Sequence, residues 1–132
     1  MILDTNVWWR YLTDGRMAKE TRRRLEQARA AGRLQVAAVT LWEIALLAQD
    51  GKLRVDIAVP KWLHTALRRS GTSVAPLDPG AAYEAARLAA TLPDPAGCQI
   101  VGTAVHLGVP LASRDRRLLA FTRDLGIEAL EA

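Results

Sequence analysis

Three acidic residues far apart in the chain, Asp4, Glu43 and Asp115, each come just after a short apolar run of the kind that forms a strand. Met1-Ile2-Leu3 precedes Asp4, Leu34-Gln35-Val36-Ala37 leads into Thr40-Leu41-Trp42-Glu43, and Val109-Pro110-Leu111-Ala112 leads into Ser113-Arg114-Asp115. Where strands run parallel their carboxyl ends share one edge, so acids placed just beyond them meet in one crevice. Carboxylates gathered there repel one another and resist desolvation, and a hard cation held through oxygen offsets both costs. Mg2+ or Mn2+ in such a place lowers the pKa of a water and neutralises charge on a phosphate, which is phosphodiester chemistry. Each acid also has a plain structural use. Asp4, Asp94 and Asp115 are placed to cap helices, and Glu43 falls where a capping box opened by Thr40 puts its glutamate.

The elements that must position these acids alternate between strand and helix. After Asp4-Thr5-Asn6 a helix runs through Leu12. A second helix covers Lys19 to Ala31 and stops at Gly32, with the Arg22-Arg23-Arg24 run expected to face solvent. The Thr40 capping box is expected to open a helix reaching about Asp50, with Gly51 beyond it. Pro60 to Arg69 reads as a helix ended by Gly71, and Val74-Ala75 as a strand. Asp78-Pro79 and Asp94-Pro95 each place an N-cap before a first-turn proline, opening helices to about Ala90 and to Leu107. Arg116 to Arg123 forms a last helix, and Gly126 to Ala129 an edge strand. This order predicts an α/β fold: one domain over residues 1–132, with a central parallel sheet of four to five short strands, helices on both faces and right-handed crossovers.

With 132 residues, half of them apolar, the composition is that of an ordinary globular domain. No apolar run is long enough to span a bilayer and the N-terminus lacks signal-peptide regions, so no membrane role and a cytoplasmic location are expected. Cys98 is the only cysteine, which excludes an internal disulfide and a thiolate zinc cluster. The net charge of +4 is carried mostly by arginine, whose planar fork suits phosphate or carboxylate. Arg114, Arg116 and Arg117 flank Asp115 and are expected to form a positive rim where phosphates dock, or else to pair with neighbouring acids. Of the adjacent Trp8 and Trp9, only one can face inward on a single helix, leaving the other for an interface.

In order and local context the acids resemble the PIN-domain ribonucleases of the VapC toxin type, along almost the whole chain. Met1-Ile2-Leu3-Asp4-Thr5-Asn6 is similar to that family's opening strand and first aspartate, and Val39-Thr40-Leu41-Trp42-Glu43-Ile44 to its glutamate helix. The stretch from Asp94-Pro95-Ala96-Gly97-Cys98 through Ala104 resembles its Asp-Pro-x-Asp helix, and Leu111-Ala112-Ser113-Arg114-Asp115 its last acidic motif. The resemblance implies a PIN fold and a metal-dependent endoribonuclease that is the toxin of a type II toxin–antitoxin system. Asp4, Glu43 and Asp115 would be its catalytic, metal-holding carboxylates, with Mg2+ or Mn2+ as cofactor. Ser113 would be a supporting hydroxyl, and Thr5 and Asn6 would order the first turn. The implied partners are a VapB-like antitoxin, whose tail fits a groove near the first helices, an RNA substrate, operator DNA reached through the antitoxin, and a second copy in a homodimer.

The departure is Gly97, which stands where the family pattern has another aspartate. Loss of one of four anionic ligands is expected to weaken metal binding and impair turnover. Asp94, three residues earlier on the same helix face, is expected to reach that place only by giving up its cap and shifting the helix start. The alternative reading is a catalytically dead PIN-like module that acts by binding antitoxin and operator DNA. A phosphatase of the haloacid-dehalogenase type also places an aspartate after its first strand, but needs a second acid where this chain has Asn6.

Overall fold

The structure, a computed structural model, describes residues 1–132. Five strands, β1 (Ile2–Leu3), β2 (Gln35–Ala37), β3 (Ser73–Ala75), β4 (Leu111–Ser113) and β5 (Ala129–Glu131), form one sheet in the order β3-β2-β1-β4-β5. Every pairing is parallel. The chain lays β2 and β3 on one side of β1, then returns to place β4 and β5 on the other. The direction of winding therefore reverses between β1 and β4, and such a reversal leaves a crevice beyond the strands' carboxyl ends.

Seven helices cover the two faces: α1 (Thr5–Leu12), α2 (Lys19–Ala30), α3 (Ala38–Gln49), α4 (Val59–Ser70), α5 (Pro79–Leu88), α6 (Pro95–Leu107) and α7 (Arg116–Asp124). Strand side chains alternate between two cores. Ile2 and Leu111 pack with Leu88, Val101 and Leu118 on one face, whereas Leu3, Val36 and Ala112 pack with Trp8, Leu25 and Ile44 on the other. Both faces being covered explains why the central strand, β1, is apolar and buried at both of its residues. α5 and α6 approach at Gly102, where a Cβ would stand 2.5 Å from the Ala85 backbone nitrogen. A residue with any side chain would force these two helices apart.

Local signals placed most elements, and the differences have local causes. β4 begins two residues later than expected because the Val109 amide still donates to Ala104 of α6 at 3.1 Å, and Pro110 has no amide to give. β5 starts at Ala129 because Gly126 and Ile127 are used to finish α7, donating to Arg123 and Thr122. α3 starts at Ala38 and its N-cap, Ala37, makes no side-chain bond. Thr40 therefore lies inside the helix and no capping box forms. In the Arg22-Arg23-Arg24 run only Arg23 is fully exposed, paired with Glu20. Arg22 reaches the Gly15 carbonyl, and Arg24 grips Glu128 with two bonds of 2.7 and 3.0 Å.

Candidate metal and nuclease site

β1 and β4 lie side by side, with the Asp4 amide donating to the Ala112 carbonyl at 3.0 Å, so the residues leaving both strands share one corner. Asp4 caps α1, its Oδ1 accepting the Val7 amide at 2.7 Å. Its Oδ2 accepts the Ser113 hydroxyl and, at 3.4 Å, the Arg114 amide. Ser113 Oγ in turn accepts the Asp115 amide at 2.9 Å. One hydroxyl thus joins the Asp4 carboxylate to the Asp115 backbone across the sheet. Asp4 is buried at 5% exposure and no basic side chain touches it. Burial raises its pKa, opposed by the bonds from Ser113, Val7 and Arg114, and the Asp115 charge raises it further.

Glu43 enters the same cleft from α3. The Thr5 hydroxyl donates to its Oε1 at 2.5 Å and lies 3.1 Å from the Thr40 hydroxyl. With no capping box to serve, this carboxylate has no structural use at its own helix terminus. Burial again raises its pKa, opposed by the Thr5 bond, with the charges of Asp94 and Asp4 adding to the rise. Asp115 differs. It caps α7 through the Arg117 amide at 2.8 Å and pairs with the Arg117 guanidinium at 3.0 Å. That partner, first, holds its carboxyl below the usual range.

Asp94 caps α6 as expected, Oδ1 accepting the Gly97 amide at 2.9 Å. The helix start has not shifted, yet the carboxylate already lies against residue 97. A Cβ built on Gly97 would stand 2.5 Å from Asp94 Oδ2 and 2.8 Å from Leu118 Cδ2. The expectation that the cap keeps Asp94 away from that place is therefore corrected: one oxygen makes the cap and the other fills the space.

Asp4, Glu43, Asp94, Gly97 and Asp115 all line one open cleft of about 420 Å3. Thr5 and Asn6 line it too, as do Ile100 and Leu118 at its apolar base. Asn6 points outward and accepts from Arg10 Nε at 3.0 Å. Of the anticipated arginine rim only Arg114 borders the cleft. Arg117 is spent on Asp115, and Arg116 is exposed and does not line it. Arg10 is the lining residue that sequence reasoning missed. Its position one helical turn after Asn6, where an (i, i+4) pair forms, was the available signal.

The donor set is all oxygen and mostly anionic, with buried Asp4 and half-buried Glu43 carrying like charges that no base offsets, and this suits a hard divalent cation. No three of these acids stand close enough together to hold an ion as they are.

A parallel α/β sheet with acids at its switch point frames the site, and the chain belongs to the PIN domain family, whose pattern matches residues 1–123. It is 31% identical over 121 residues to Ribonuclease VapC22 of Mycobacterium tuberculosis (strain ATCC 25618 / H37Rv), covering 89% of this chain and 88% of that protein. Among solved structures it resembles DNA-bound VapBC from Salmonella typhimurium, with a TM-score of 0.67, 21% identity and coverage of 98% of this chain and 96% of the other. VapBC-5 from Mycobacterium tuberculosis gives 0.62 at 20% identity, covering 99% and 97%. At these identities the two structures support the fold.

Proposed function

We propose that the chain is a VapC-type toxin: an endoribonuclease that depends on Mg2+ or Mn2+ and is held in check by a VapB-like antitoxin in the cytoplasm. The observation that carries this is the meeting of Asp4, Glu43, Asp94 and Asp115 in one cleft of a PIN-family chain. Asp4 and Glu43 are the residues best suited to hold the ion, because each is desolvated and faces other acids. Asp115 joins once its carboxylate leaves Arg117. When bound, the ion supplies the Lewis acidity that activates a water and offsets charge on the scissile phosphate. The chain's own residues do the rest. Ser113 fixes the Asp4 carboxylate, Thr5 fixes that of Glu43, and Arg10 and Arg114 stand at the cleft to dock flanking phosphates of single-stranded RNA. Cleavage of a labelled single-stranded RNA in Mg2+ or Mn2+ that vanishes with chelator and in Asp4→Asn is the expected result; absence of any metal-dependent cleavage by the chain refutes the nuclease reading.

Gly97 favours a second reading, a module that binds antitoxin and operator DNA without turnover. For either reading the antitoxin's place is a groove of about 480 Å3 between α1, α2 and α4. Trp9 and Trp62 meet there at a tilt with ring centroids 5.8 Å apart, bordered by Arg22 and Arg29, which pair with Asp14 and Glu26, and by Arg54 and Arg69. Aromatic walls with Arg54 and Arg69 left unpaired at the border suit a peptide carrying apolar anchors and an acidic flank. Trp9 is thus the tryptophan left for an interface, while Trp8 is fully buried. Operator DNA is reached through the antitoxin, and a homodimer is the expected assembly.

A further inference from the structure

We infer that Asp94 is the fourth metal-holding carboxylate of this chain, taking over from residue 97, while it goes on capping α6. The inference rests on the metal-dependent reading above and names a ligand which that reading does not require. Two observations carry it. The first is spatial: Asp94 Oδ2 and Cγ occupy the place of a Cβ on residue 97, at 2.5 and 2.8 Å, so the carboxylate fits only because residue 97 is glycine. The second is a division of labour within one side chain. Oδ1 accepts the Gly97 amide, and Oδ2 makes no hydrogen bond to the protein. A lone oxygen of a carboxylate at the wall of the cleft is a free donor for a cation.

The consequence is an exchange between two positions one helical turn apart. An aspartate at 97 and the present Asp94 rotamer exclude each other, because the two would overlap at the Cβ. A chain with glycine at 97 has room for the carboxylate from 94, and a chain with aspartate at 97 does not. Gly97 is then the feature that lets a substitute in.

Mn2+ binding to the full chain, followed by calorimetry and by the paramagnetic resonance of free ion, tests this without reference to turnover. Asp94→Asn keeps an N-cap of equal quality, so its urea midpoint stays at the wild-type value. Its Mn2+ affinity is expected to fall at least about tenfold, the low end of what losing even a supporting partner costs a metal site. The double variant Asp94→Ser with Gly97→Asp, whose shorter cap has no second terminal atom to overlap a Cβ at 97, is expected to recover binding. Wild-type affinity in Asp94→Asn, alongside lost binding in Asp4→Asn, overturns the assignment and leaves the metal site standing. A wild-type chain that binds no Mn2+ overturns both. A folded double variant that binds no better than Asp94→Asn overturns the exchange of positions.

Discussion

The Thr5 hydroxyl donates to Glu43 Oε1 at 2.5 Å, tying the first turn of α1 to α3 across the cleft. This bond opposes the rise in the Glu43 pKa caused by burial. Thr5→Val removes the donor and leaves a desolvated carboxylate, at an expected cost of about 1–3 kcal/mol at neutral pH. The folded-state pKa of Glu43 is raised, so the folded state holds its proton to higher pH than the unfolded chain, and stability falls as pH climbs above 4.5. Loss of Thr5 raises that pKa further and deepens the fall. Urea unfolding should show a wild-type advantage that is large at pH 7 and shrinks below about pH 4, where the carboxyl is protonated in both states.

Ser113 serves two groups at once, donating to Asp4 Oδ2 and accepting from the Asp115 amide. Ser113→Ala orphans both and is expected to cost about 1–3 kcal/mol. Ser113→Thr keeps the hydroxyl and should recover part of the loss. Equal urea midpoints for wild type and the alanine variant would remove Ser113 from this role.

Gly102 permits the close approach of α5 and α6. Gly102→Ala places a methyl 2.5 Å from the Ala85 nitrogen and 2.8 Å from its Cα, both backbone atoms that cannot rotate aside. The expected loss is about 1–3 kcal/mol, read as a lower Tm in a thermal melt.

Arg24 and Glu128 link α2 to the approach of β5. The Arg24 bond holds the Glu128 carboxyl below its usual value, so this contribution is complete above the ordinary glutamate range and is lost as pH falls through the lowered value. The pair is largely solvated, so its worth stays below about 1 kcal/mol. The Tm difference between wild type and Glu128→Gln should therefore be small at pH 7, vanish under acid, and shrink with added salt.

The fold was legible wherever one residue's chemistry decides a boundary. Asp78, Asp94 and Asp115 cap the helices their positions announce, and Gly71 and Gly108 end theirs. The candidate site was legible as a set of acids, because Asp4 and Asp115 sit directly after strands. What stayed hidden depends on neighbours distant in sequence. Glu43 is tied to Thr5 and not to its own helix start, since α3 begins two residues before Thr40. Asp94 reaches past its cap only because the space over Gly97 is empty, which no reading of a four-residue motif reveals. Arg10 joins the cleft because α1 turns it toward Arg114, both donating to the Arg16 carbonyl.

The first strand of the chain is the middle strand of the sheet, and its register joins Ile2 to Leu111. Closing so wide a loop delays the pairing that only late residues can complete. A chain emerging from the ribosome carries Asp4 from the outset, but it lacks the Ser113 hydroxyl that orients that carboxylate, and Asp115 as well. For the nuclease proposed above, cutting therefore begins only after translation has passed residue 115, and fragments released before that point are inert.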